Sequence, residues 1–142
     1  MVLSPPAPAL EVPGLEQAYE DCRVETERWA KTFYLGTLLM PPAKRRAIWA
    51  IYVWCRRTDE LMDSPEAQAL PVAELSARLD AWEQRTRELF AGQVRDGLER
   101  VMADVIEHYP QPLEAYLEMI EGQRMDLAKH RYADFAELKQ YC

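Results

Sequence analysis

The chain has 142 residues, 49% of them hydrophobic, and sets 24 Asp and Glu against 17 Lys and Arg for a formal net charge of -7. That size suits one domain with a true core. The acidic balance argues against sequence-independent nucleic-acid binding, which needs a basic surface along the phosphates, but it leaves room for a small anion held by a few arginines. The three cysteines, Cys22, Cys55 and Cys142, are widely spaced and form no C-x-x-C pair. With only His108 and His130 to join them, a zinc site is not expected, and reduced thiols in a cytoplasmic compartment are the simpler reading.

The opening "MVLSPPAPALEVPG" lacks the basic start of a secretory signal and the Arg/Ser bias of a transit peptide, so residues 1–14 are expected to be a disordered leader. Valine and isoleucine are scarce and strict alternation is absent, which points to an all-α fold. The first helix is expected from about Leu15 to Thr32, leading into "FYLGTLLM". Pro41 and Pro42 stop that segment and start a second helix, about Ala43 to Asp63, since proline fits a first helical turn. "SPEAQALP" is its exit, and a third helix follows over about Val72 to Ala91. A fourth is expected at Asp96 to His108. "YPQP" then breaks the chain before a fifth, about Leu113 to Lys129, and a sixth begins near Asp134. "FAELKQYC" carries no helix terminator, so residues 15–142 are expected to be part of a longer helical domain.

The second helix is apolar on every side from Ala47 to Cys55, the signature of a central helix packed by neighbours on several faces. At nine residues this longest apolar run falls well short of the roughly 20 that a bilayer span needs, so no transmembrane segment is expected. Trp49 and Trp54 must each place an indole N–H as well as a ring. Beyond this run comes "RRTDELMD". Tyr52, Arg56, Asp59 and Asp63 follow one another at helical spacing, and at about 100° per residue they share a stripe roughly 60° wide. Arg57 and Glu60 point elsewhere and suit ordinary solvation.

Two carboxylates one turn apart repel if left alone, whereas a divalent cation turns them into a ligand pair. Magnesium prefers such oxygen donors, and Arg56 offers a fork that matches a phosphate. The same spacing also fits a solvated face with a plain Arg56–Asp59 pair, and pattern alone does not separate the two.

The stretch "AKTFYLGTLLMPPAKRRAIWAIYVWCRRTDELMD", Ala30 to Asp63, resembles the phytoene synthases of plants and cyanobacteria, in the squalene/phytoene synthase group. "MIEGQRMDLAKHRYADFAELKQYC", Met119 to Cys142, resembles the mid-region of the same group, in the same order and spacing. The resemblance implies an isoprenoid synthase fold, here a partial helical bundle, and a Mg²⁺-dependent reaction, with Mn²⁺ as a substitute. That reaction joins two geranylgeranyl diphosphates head to head, through prephytoene diphosphate, to 15-cis-phytoene.

On that likeness Asp59 and Asp63 match the first aspartate-rich motif and would bind Mg²⁺. Tyr52 and Arg56 would meet the diphosphate, Lys31, Thr32 and Phe33 would contact substrate, and Tyr141 would line the cavity for the rearrangement. Some relatives carry histidine and serine where this chain has Trp29 and Ala30. The group's second aspartate-rich motif falls beyond Cys142 in a longer chain, so the 142 residues alone are expected to be inactive. The rival readings are a squalene or dehydrosqualene synthase that uses farnesyl diphosphate, and a non-catalytic helical module that binds prenyl diphosphates.

Several other residues suit structural roles. Arg124 and Asp126 form a candidate pair, and His108, like His130 and Arg131, stands at an expected helix end where it would cap carbonyls. Leu75, Leu79, Trp82 and Leu89 read as core. The basic Lys44–Arg46 would solvate a helix start or meet headgroups, so peripheral membrane association is compatible with greasy substrates.

Overall fold

Helices form wherever apolar residues recur at helical spacing. The computed structural model describes the backbone of residues 14–140 and the side chains of residues 14–129. Residues 1–13 of the expected leader, and Tyr141, lie outside the described residues. Seven α-helices and no strand are found among the described residues: α1 (Leu15–Trp29), α2 (Lys31–Thr37), α3 (Pro42–Asp63), α4 (Pro65–Gln68), α5 (Val72–Phe90), α6 (Gly97–His108) and α7 (Leu113–Gln140). They pack as two compact units. One takes the chain to Arg56 together with Glu88–Pro110; the other takes Arg57–Arg87 and the chain from Gln111 onward.

In the first unit, α1 buries Ala18, Tyr19, Cys22 and Thr26, a single stripe at helical spacing. The helix does not run to Thr32 as expected: Ala30 leaves the helical region at φ -142°, ψ 62° and serves as the C-cap of α1 and the N-cap of α2. Ala30 N–H donates to Thr26 O and its carbonyl accepts from Tyr34 N–H, both at 2.8 Å, so the break leaves neither group unpaired. Alanine is the best helix former, so residue type cannot announce this break. Its cause is tertiary: α2 buries Tyr34 and Thr37, with Tyr34 stacked on Trp49 at 5.5 Å between ring centroids. Thr37 Oγ1 accepts the Trp49 indole N–H at 2.8 Å and donates to Tyr34 O at 2.6 Å.

The core of α3 is Ala47, Trp49, Ala50, Val53 and Trp54, as its apolar run predicts. Arg46 is not a mere solvating charge. Its guanidinium lies 4.0 Å from the Tyr19 ring centroid and 2.9 Å from Glu16. Tyr19 in turn donates its hydroxyl to Asp104 of α6 at 2.6 Å, and burial, with that carboxylate beside it, raises the phenol above its ordinary pKa. The Asp96 side chain caps α6 by accepting from Glu99 N–H at 2.8 Å, while Glu99 reaches back to Arg95 N–H at 2.7 Å. Val101, Met102 and Val105 fill the buried face of α6.

In the second unit, "SPEAQALP" is more than an exit. Ser64 accepts from Ala67 N–H at 3.1 Å and Pro65 opens the short helix α4. Leu75, Leu79 and Thr86 form the buried stripe of α5, and Ile120 and Tyr116 form that of α7. Leu89 is buried further along α5, in the part that packs with the first unit. Gly92 ends α5 at φ 102°, with Gln93 N–H reaching Glu88 O at 2.9 Å, the six-to-one bond of a glycine C-cap. The expected pause near residues 130–133 does not exist. α7 runs unbroken for 28 residues, because no proline or glycine interrupts it there. The backbone at His130 and Arg131 is therefore inside a helix and not at its end. His108 does close α6, its ring Nδ1 at 2.9 Å from Asp104 O.

Candidate functional site

The polar stripe predicted on α3 lies on one continuous helix, and its two ends belong to different packing units, so each end is described in its own setting.

In the first unit, Arg56 is half-buried. Its guanidinium carbon lies 3.8 Å from the centroid of Trp29, and its Nε lies 3.8 Å from Glu25 Oε2. Glu25 and Trp29 are one turn apart on α1, so one face of that helix receives both the charge and the plane of the guanidinium. An aromatic face and a carboxylate together orient a planar fork better than either could alone. Tyr52 is half-buried beside Phe33 of α2, with ring centroids 5.6 Å apart and planes tilted by 33°. Phe33 is 46% exposed and Trp29 53%, and Arg28 also lies over the Trp29 ring, at 5.2 Å, so this end of the unit presents aromatic surface flanked by two guanidinium groups. Lys31 and Thr32 are exposed at the start of α2, with Lys31 Nζ 3.5 Å from Glu27. Sequence reasoning placed Tyr52, Phe33 and Arg56 in the site. It missed Glu25, whose only signal was its helical spacing to Trp29.

In the second unit, Asp59 and Asp63 are both exposed on the last turns of α3. Asp59 Oδ1 accepts a hydrogen bond from Gln123 Nε2 of α7 at 2.8 Å. Asp63 lines a cavity of about 690 Å³ whose polar wall also holds Gln68, Gln123 and Asp126, and whose apolar wall includes Met62, Leu75 and Leu127. The turn that carries Asp59 is anchored from behind: Thr58 is 2% exposed and its hydroxyl accepts the Trp82 indole N–H at 2.8 Å. Arg57 and Glu60 form a half-exposed pair with each other at 3.7 Å, to one side of the stripe.

Arg124 has a structural role, but its partners differ from expectation. It pairs with Asp80 and Glu83 of α5 and with Glu121, at 2.9, 2.7 and 3.1 Å, rather than with Asp126. Arg124 first and Arg87 second hold the Glu83 carboxyl below its usual pKa. With Arg124 turned toward α5, Asp126 faces the cavity, which the order of residues in "QRMD" does not reveal.

Among the described residues no group of three or more His, Cys, Asp and Glu is arranged to hold a metal ion. Two carboxylates one turn apart nonetheless match a hard cation that takes one or two protein carboxylates and completes its shell with water and substrate oxygens. Asp59 and Asp63 are the residues that would hold it. No helix among the described residues is long and apolar enough to cross a membrane.

Residues 26–142 match the model of the squalene/phytoene synthase family. The chain is 53% identical over 138 residues to a 15-cis-phytoene synthase of Synechococcus elongatus, covering 97% of this chain and 44% of the relative. It is 54% identical over 129 residues to another 15-cis-phytoene synthase from a Synechocystis species, covering 91% of this chain and 37% of the relative. The solved structure of the squalene synthase HpnC from Alicyclobacillus acidocaldarius superposes with a TM-score of 0.69 at 30% identity, covering 84% of this chain and 43% of that one. The chain thus spans less than half the length of the relatives it matches, and its helices follow the isoprenoid synthase fold. On the match over residues 26–142 and these identities, the chain belongs to the squalene/phytoene synthase family.

Proposed function

We propose that the protein is a prenyltransferase that condenses two geranylgeranyl diphosphates head to head, through prephytoene diphosphate, to 15-cis-phytoene with Mg²⁺, Mn²⁺ serving as a substitute. The observation that carries this reading is the 53% identity to a 15-cis-phytoene synthase across 97% of the chain, a stretch that includes Arg56, Asp59 and Asp63. The lower identity of 30% to a squalene synthase makes the farnesyl diphosphate reading the weaker one.

The chemistry asks three things of the chain. The first is to bind diphosphate as a leaving group. Arg56 suits this because a guanidinium held over Trp29, 3.8 Å from the ring centroid, presents a fork in a set direction to phosphate oxygens. The second is to hold the divalent cation, which would neutralise the departing diphosphate, and this falls to Asp59 and Asp63. The third is to surround an allylic cation with apolar, aromatic walls that exclude water, for which Phe33 and Tyr52 supply π faces. Lys31 and Thr32, and Tyr141 further along, complete the proposed set of substrate contacts. Substrates this apolar also favour a position at a membrane surface, and Leu35, Leu38 and Leu39 are exposed large hydrophobic residues that suit it.

The test is product analysis. The full-length gene product with geranylgeranyl diphosphate and Mg²⁺ yields phytoene, and Asp59→Asn or Asp63→Asn brings the yield below detection. A C30 product from farnesyl diphosphate as the preferred outcome overturns the substrate assignment, and full activity in both variants overturns the metal assignment. The 142 residues expressed alone give no turnover.

A further inference from the structure

We propose that Gln123 is a positioning residue for the metal-binding carboxylates, its side-chain amide fixing the plane of Asp59 so that the two aspartates of α3 present their oxygens together. The proposal rests on the reading of Asp59 and Asp63 as metal ligands. It is carried by the 2.8 Å bond from Gln123 Nε2 to Asp59 Oδ1, which spans 64 residues of sequence within the second unit.

An ionised carboxylate only accepts hydrogen bonds, so the amide must turn its NH₂ and not its oxygen toward Asp59. The χ2 of an aspartate is a broad torsion with no deep wells, so its hydrogen-bond partners set the plane of the carboxylate. A donor from a neighbouring helix helps to set that plane, and a carboxylate with about four lone-pair sites accepts from several partners at once, a cation included.

Two further features make Gln123 more than a surface contact. The backbone of the Asp59 turn is itself held by the Trp82 indole on the buried Thr58 hydroxyl, so a restraint on the side chain acts on a fixed base. Gln123 also lines the cavity that Asp63 lines, so one side chain touches the first aspartate and borders the space in front of the second. Ligand carboxylates need such supporting hydrogen bonds, and their loss characteristically weakens metal affinity about 10- to 100-fold.

The test uses the full-length gene product with Mn²⁺ and inorganic pyrophosphate as probes, free Mn²⁺ being counted by electron paramagnetic resonance. Gln123→Met keeps the length of the side chain and removes the donor; Gln123→Ala removes the side chain and favours the helix. Asp59→Asn is measured alongside. The expected result is Mn²⁺ affinity at least about 10-fold weaker in both Gln123 variants, melting temperatures close to the parent, and an activity at saturating Mg²⁺ that recovers most of the parent kcat. If Asp59→Asn weakens Mn²⁺ binding and either folded Gln123 variant binds like the parent, the positioning role is refuted while the metal reading stands. If Asp59→Asn also binds like the parent, the metal reading itself fails and takes the proposal with it.

Discussion

Both units of the molecule use one device and then diverge. In the first, the Trp49 indole donates to the buried Thr37; in the second, the Trp82 indole donates to the buried Thr58; both bonds measure 2.8 Å. Beside Thr37 the Tyr34 and Trp49 rings stack, and at the end of the unit the guanidinium groups of Arg28 and Arg56 lie over Trp29. Beside Thr58 the acids of α3 face outward and a cavity of about 690 Å³ opens next to Asp63. The first unit presents aromatic rings with guanidinium groups beside them, and the second presents carboxylates at the edge of a cavity. The same hydrogen bond keeps a tryptophan in place while the residues beyond it decide what the surface can bind.

That contrast can be broken by experiment. Met102→Ala in the first unit and Ile120→Ala in the second both truncate fully buried side chains, and each is expected to cost about 2–5 kcal/mol by chemical denaturation. The cost should fall toward the lower end for Ile120→Ala if the cavity beside Asp63 lets the second unit relax around the gap. Equal costs would show that the cavity beside Asp63 does not loosen the packing around Ile120.

Arg56→Lys keeps the charge but loses the fork and much of the stacking on Trp29. It is expected to lower kcat/KM for geranylgeranyl diphosphate by roughly 10-fold or more, the scale of one charge-assisted hydrogen bond, with Mn²⁺ binding in the absence of diphosphate unchanged. A loss of metal affinity instead would place Arg56 with the acids rather than with the anion.

Thr37→Val and Thr58→Val each remove the hydroxyl that accepts an indole N–H, at about 1–3 kcal/mol for the buried Thr37 bond and toward the lower end for the part-buried Thr58 bond. Only Thr58→Val, one residue from Asp59, should also raise the Mg²⁺ concentration needed for half-maximal activity; a matching rise in Thr37→Val would count against separate roles.

The smallest expected effects are in pH. The Asp104 carbonyl first, and its carboxylate second, raise the exposed His108 above its ordinary pKa of 6.5. Its favourable contribution is therefore fully present below that value and fades as pH rises through the raised one. Glu83 runs the other way: held below 4.5 by Arg124 and Arg87, it stabilises the second unit above that value and loses its contribution as pH falls through the lowered one. His108→Gln and Glu83→Gln should flatten the corresponding limbs of the stability profile, and unchanged limbs would remove these two groups from it.

Local chemistry made much of this legible. The all-helical class, the proline start of α3, the apolar run from Ala47 to Cys55 and the one-turn spacing of Asp59 and Asp63 all follow from residue type and a period of about 3.6. The likeness to phytoene synthases likewise rests on residues read in order. What local chemistry could not show was any effect whose cause lies far away in sequence. An alanine breaks α1 from α2 because Tyr34 and Thr37 must reach Trp49. Glu25 meets Arg56 across 31 positions, Arg124 leaves Asp126 for Asp80 and Glu83, and Gln123 reaches Asp59. Which side chains could carry the chemistry was determined by their identity and periodicity. Which neighbours orient them was decided by helix packing, because hydrogen bonds and ring contacts depend on distances that only the tertiary structure sets.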